Sequence, residues 1–206
     1  MTAAAAPVVL ASASPRRAAL LAQVGVPFEQ IVSPLEEPSP GDETPRQHVL
    51  ASSLFKARTV SDQLADRREP PLVLGADTVV CLGDQVLGKP ADGADAARML
   101  RALSGRAHTV YTGVALVRRG GDIRSVCEAT RVHMTAIPEP EIARYIAGGE
   151  PMDKAGAYAV QGHGGRFVER LEGCYYNVVG LPLARVCSLL AEAGFDFGSA
   201  PLPPEK

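Results

Sequence analysis

Strand-like apolar runs alternate with helical stretches along this chain, and glycine-centred hairpins interrupt the alternation. No other feature constrains the fold as much. Alternating strands and helices build parallel strand neighbours, whereas tight hairpins add antiparallel ones. The expectation is an α/β fold with a mixed central sheet flanked by helices, in one or two lobes. No internal repeat is present.

"PVVLAS" reads as the first strand, and a helix follows it as far as Gly25. "FEQIV" reads as a second, short strand, and "SPLEEPSPGDE" as a proline- and acid-rich loop. Thr44 opens a long helix, with Pro45 at its first position and Gln47 completing a capping-box pattern; it runs to about Ala65. "PLVLGADTVVCLGDQVLGKP" reads as a buried strand, a break at Gly75–Asp77 and a hairpin around Gly83–Asp84. "DGADAARMLRALSG" is a helix with Ala97, Leu100 and Leu103 on its apolar side and Gly105 at its end. A long hairpin turns about Gly120–Gly121, a helix covers Glu139–Ala147, and Phe167–Leu171 is a strand. "YNVVGLPLARVCSLLAEAG" gives a strand and a closing helix, and the tail "SAPLPPEK" is expected to be loose.

Composition excludes several classes of function. The chain has 206 residues, 46% apolar and 21% charged, as expected of a globular protein of one domain or two small ones. With 21 basic and 23 acidic residues it lacks the positive excess of a nucleic-acid binder or of a basic membrane-surface face. No apolar run approaches the ~20 residues of a membrane span. The N-terminus has no basic segment ahead of its small apolar residues, so it reads as a tail leading into a strand and not as a signal peptide. Cys81, Cys127, Cys174 and Cys187 stand at no metal or redox spacing. Scattered thiols of this kind are small core residues of a reducing compartment, so a cytoplasmic location is expected.

The stretch "SASPRRAALL" poses a chemical question. Ser14 suits an N-cap and Pro15 the first helical position, yet Arg16 and Arg17 then occupy the positive end of the helix dipole. An anion bound there would reverse the sign of the problem. Backbone N–H groups, the hydroxyls of Ser12 and Ser14 and two guanidiniums would converge on it, phosphate above all. The plainer alternative is that both arginines splay into water. Asp77 follows an apolar strand, where α/β sheets place ligands, and suits a cation or a water; a turn aspartate bonding its own backbone is the alternative. Glu36 and Glu37 lie in a loop and Lys56 on the long helix, positions where solvent exposure is the ordinary explanation; Lys89, rigidly presented between Gly88 and Pro90, is explained equally well by a plain turn. "MDKAGAYAVQGHGG" carries Asp153, Lys154, Tyr158 and Gln161 in a long glycine-rich loop of the kind that tends to be functional. His163 has no other histidine at metal spacing.

Taken in order, "LASASPRRAALL", "EE", "FKA", "GADTVV", "GKP", "LSGRAHTVYTGVAL", "GEPMDKAGAYAVQGHGG" and "NVVGLPL" resemble the signature blocks of the Maf nucleotide pyrophosphatases. The resemblance spans about Val8 to Gly194, as one domain within residues 1–206 followed by a flexible C-terminal tail. It implies an elongated, two-lobed fold like that of inosine triphosphatases, with the active site in the cleft. It also implies hydrolysis of a nucleoside triphosphate to the monophosphate and pyrophosphate, with Mg²⁺ or Mn²⁺. Carried over, Asp77 is the catalytic base and holds the metal with Glu37. Ser12, Ser14, Arg16, Arg17, Lys56 and Lys89 grip the triphosphate. Arg16, Thr78 and Gln161 match the branch of the family that cleaves dTTP and UTP, where the 7-methyl-GTP branch has Trp, Gln and Glu. Glu36 stands where many members have Asp, Cys174 replaces a common serine, and the tail is long. A nucleoside triphosphate is the expected partner, with no nucleic acid and no membrane, and a homodimer is the expected assembly, symmetric pairs being the commonest. The alternatives are 7-methyl-GTP as substrate, or a nucleotide-binding regulator of cell division without turnover.

Overall fold

A computed structural model describes residues 8–35 and 43–198. Glu36, Glu37, the residues ahead of Val8 and the proline-rich tail lie outside the described residues. In chain order the elements are β1 (Val8–Ala11), α1 (Pro15–Gln23), β2 (Phe28–Gln30), α2 (Pro45–Gln63), β3 (Leu72–Leu82) and β4 (Gln85–Leu87). Then come α3 (Gly93–Leu103), β5 (Ala107–Val117), β6 (Ile123–Met134) and α4 (Glu139–Ala147). Short 3₁₀ turns cover Glu150–Asp153, Ala155–Ala157 and His163–Phe167 before β7 (Val168–Glu172), α5 (Tyr175–Val179) and α6 (Leu183–Glu192).

The strands form one seven-stranded sheet in the order β2-β1-β3-β5-β6-β7, with β4 paired to β3. β1 runs parallel to both neighbours, Val8 facing Phe28 on one side and Leu72 on the other. β4 is antiparallel to β3 and β7 antiparallel to β6. Parallel and antiparallel pairs in one sheet bear out the mixed α/β class that the alternating pattern implied. The capping box at α2 is also as read: Thr44 Oγ1 accepts from the Gln47 amide, and Gln47 Oε1 accepts from the Thr44 amide at 2.9 Å.

Two local readings are corrected. No break occurs at Gly75–Asp77, because β3 runs unbroken through eleven residues. The glycine there serves a close helix approach, described below, and not a turn. "YYNVV" is helix α5 and not a strand. Its β-branched and aromatic residues favour strands, but glycines with positive φ, Gly173 and Gly180, bracket it. The fully buried Asn177 also has to reach the Val110 carbonyl and Thr130 Oγ1, at 3.0 and 2.9 Å.

The chain divides into two compact units. Among the described residues, one comprises those up to 77 together with 112–127 and those from 180 on; its core packs Val9 and Ala11 of β1, Val73 of β3 and Ala115 of β5 with Ala57 and Val60 of α2. The other comprises residues 78–111 and 128–179; its core gathers Leu100 and Leu103 of α3, Ile142 and Tyr145 of α4, and Val110, Val132 and Phe167. Each fully buried side chain of this size contributes roughly 1.5–3 kcal/mol. None of the four cysteines forms a disulfide, Cys81 and Cys127 are buried, and burial pushes the Cys81 thiol up to about 11. No described helix is long and apolar enough to cross a membrane.

Candidate active site

β3 is buried along its length except at Asp77, Thr78 and its last residue. Successive strand residues point to opposite faces, so Asp77 and Thr78 leave the strand on opposite sides. On the side of Asp77 lies α2. Lys56 Nζ donates to Asp77 Oδ1 at 2.7 Å and to the Ala76 carbonyl at 3.4 Å. The two side chains retain only 13% and 15% of their exposure, so their attraction is far less screened than at an open surface. Close packing makes this contact. A Cβ on Gly75 would stand 2.1 Å from the Ser53 carbonyl oxygen, and one on Gly113 of β5 would stand 2.2 Å from that of Val49. Two bare backbones thus let α2 settle onto the sheet and bring Lys56 over Asp77. His48, on the same helix, places Nε2 3.9 Å from Asp77 Oδ2, while its Nδ1 lies 2.8 Å from Glu43 Oε1.

The turn between β1 and α1 sits next to this pair. β1 and β3 pair Ala11 with Gly75. Ser12 is the first residue beyond that pair on one strand, and Asp77 the second beyond it on the other. Ser14 is the N-cap of α1 but its side chain makes no capping bond, and the first turn carries no acid. The amide of Ser14 donates instead to Ser12 Oγ at 3.3 Å, and Arg17 Nη1 donates to the same oxygen at 3.0 Å. Arg17 Nε donates to the Gly180 carbonyl at 2.9 Å. Arg17 is therefore a fixed, half-buried guanidinium and not one splayed into water. Arg16 beside it is likewise half-buried.

Thr78, Lys89 and Gln161 belong to the second unit. Lys89 and Gln161 are both exposed. The Gly156 amide donates to the Gly88 carbonyl at 3.0 Å, which ties the turn of Lys89 to the glycine-rich stretch that carries Gln161. Glu37, expected at the metal, lies outside the described residues.

A family model described as Maf-like protein matches residues 7–193. The chain belongs to the Maf-like family. A dTTP/UTP pyrophosphatase of Pelotomaculum thermopropionicum is 50% identical to it over 190 residues, covering 92% of this chain and 97% of that one. A second protein of that name, from Gloeobacter violaceus, is 50% identical over 186 residues, 89% of this chain and 94% of its own. A third, from Bacillus cytotoxicus, is 46% identical over 192 residues, 93% and 97% respectively.

The resemblance implies a divalent cation, and the side chains of this Maf-like chain can be tested for one. Among the described residues no cluster of three or more His, Cys, Asp or Glu could hold a metal. Among the described residues, the carboxylate that the site places beside Lys56 is the half-buried Asp77. Mg²⁺ is commonly held by one or two carboxylates, with the remaining positions filled by phosphate oxygens and water. A carboxylate in this position therefore fits a cation whose remaining positions are filled by phosphate oxygens and water. Sequence reasoning missed His48, since a lone histidine near a helix start carries no spacing signal. It also missed Glu150, whose amide partners His163 and Gly164 lie across the glycine-rich stretch.

Proposed function

We propose that this chain is a nucleoside triphosphate pyrophosphatase that hydrolyses dTTP and UTP to the monophosphate and pyrophosphate. The observation that carries the reading is the Lys56–Asp77 pair on adjoining elements, next in register to a helix start bearing Ser12 and Arg17. An acid beside fixed cations suits a water that attacks a polyanion, and phosphoryl transfer needs positioning and charge neutralisation above all. The relatives named for this activity support the same reading.

Lys56 engages Asp77 Oδ1, and Oδ2, with His48 Nε2 3.9 Å away, accepts the proton from water. The water oxygen bonds to the α-phosphorus, the bond from that phosphorus to the bridging oxygen breaks, and pyrophosphate departs with the electron pair. Ser12, Ser14, Arg16, Arg17, Lys56 and Lys89 grip the phosphates, the guanidiniums bidentately. Arg16, Thr78 and Gln161 select the base. Asp77 and Glu37 would hold Mg²⁺ or Mn²⁺, which supplies Lewis-acid neutralisation of the phosphate oxygens.

A screen of nucleoside triphosphates for pyrophosphate release, with and without Mg²⁺, tests the proposal. Turnover of dTTP and UTP, silenced by EDTA and restored by Mg²⁺ or Mn²⁺, is the expected result. Turnover of 7-methyl-GTP alone would move the chain to the other branch of its family. Binding without turnover would make it a regulator, and full activity in chelator would remove the cation.

A further inference from the structure

Glu150 receives more donors than a loop carboxylate ordinarily meets. Its Oε1 accepts from the Tyr145 hydroxyl at 2.8 Å and from the Gly164 amide at 3.0 Å, and its Oε2 accepts from the His163 amide at 2.9 Å. Tyr145, 4% exposed, in turn accepts from the Ala159 amide at 3.2 Å. Burial alone would raise the carboxyl's pKa, but the amides of Gly164 and His163 and the Tyr145 hydroxyl outweigh it and hold the group below its ordinary range. Lys154 Nζ donates to the Glu150 carbonyl at 2.7 Å and so fixes the other side of the same residue. Steric contact completes the hold. A Cβ on Gly162, whose φ is +92°, would stand 2.8 Å from Glu150 Oε2, and one on Gly164 would stand 2.5 Å from the Tyr145 hydroxyl.

These contacts grip the chain at Ala159 on one side of Gln161 and at Gly162, His163 and Gly164 on the other, while Gln161 itself is exposed. Water could satisfy the amide of exposed His163 without help. A partly buried carboxylate does so instead, and charge-assisted bonds of this kind fix geometry more than they add stability. We propose that Glu150 and Tyr145 form a clamp that aims the Gln161 amide, and that Glu150 is thereby a positioning residue for nucleobase selection. The inference rests on the assignment of Gln161 to the base made above. A side-chain amide discriminates between bases only if its donor and acceptor arrive in one orientation, because an amide on a loose loop meets donors and acceptors equally well.

The test compares Glu150→Gln, Tyr145→Phe and Gln161→Ala with the unaltered chain. Glu150→Gln turns an acceptor into a donor facing a backbone N–H. The preference for dTTP over CTP should fall about tenfold, through KM with kcat little changed, and Tyr145→Phe should follow it more weakly. In the Gln161→Ala background Glu150→Gln should add less than about a twofold change, since its effect passes through Gln161. Hydrogen exchange at the His163 and Gly164 amides should quicken about tenfold in Glu150→Gln, a readout that needs no substrate. Equal loss on all nucleotides, an effect that multiplies with Gln161→Ala, or unchanged amide exchange would each overturn the proposal. If the unaltered chain leaves dTTP and UTP intact, the functional reading fails and base selection with it; the exchange measurement still decides whether the clamp exists. Should Glu150→Gln fail to fold, Tyr145→Phe, which removes one oxygen, carries the same comparisons.

Discussion

At the scale of single residues the site turns on which oxygen of Asp77 is engaged. Asp77→Asn keeps the shape and the contact to Lys56 but cannot take a proton. Pyrophosphate release from dTTP should drop roughly a hundred- to ten-thousandfold, while nucleotide binding measured by calorimetry survives; retained turnover would remove Asp77 as the base. A second residue matters for stability. His108 is buried, its Nε2 lies 2.8 Å from the Tyr158 hydroxyl, and its Nδ1 meets no hydrogen-bond partner among the described residues. Burial, with His133 adding to it, lowers its pKa from 6.5 to about 4. Between those values the unfolded chain takes up a proton that the folded one refuses. Stability present above pH 6.5 is therefore lost as the pH falls towards 4, by roughly 3 kcal/mol. As the pH falls from 7 to 5, denaturant midpoints should fall in the unaltered chain and stay level in His108→Gln; equal slopes would assign the loss elsewhere. Asp77, Arg16 and Arg17 were legible in the sequence because each sits where local structure makes its charge conspicuous. Lys56 stands out only through the family resemblance, because by itself one lysine on a helix looks like any other until the partner strand is known.

At the scale of elements the decisive contact is α2 against β3 and β5. Gly75→Ala would drive a methyl group into the Ser53 carbonyl, so the helix has to lift. The expected cost is about 1–3 kcal/mol in stability, read from denaturant midpoints, together with a loss of turnover larger than the loss of folded protein, because Lys56 leaves Asp77. Turnover that follows the folded fraction alone would show that α2 has room to shift. This contact also explains a failure of sequence reading. Glycine before an acid reads as punctuation, yet here it is a flat spot in an unbroken strand. The helix starts were clearer, since Thr44, Pro45 and Gln47 declare one within a single turn. α5 was not, since its aromatic and β-branched residues favour strands and only the distant partners of Asn177 decide otherwise.

At the scale of the whole molecule, the mixed sheet was visible in the order of runs and hairpins, whereas the strand order was not. β3 and β5 are neighbours although β4 and α3 intervene in sequence, and no local pattern encodes that pairing. The outermost strands of the sheet, β2 and β7, carry a further consequence. β2 is three residues long, and β7 sets Glu169, Arg170 and Glu172 along its exposed positions. An open row of backbone donors and acceptors invites another chain to add itself, and then another. Brevity at one border and charge at the other discourage such stacking along these two strands.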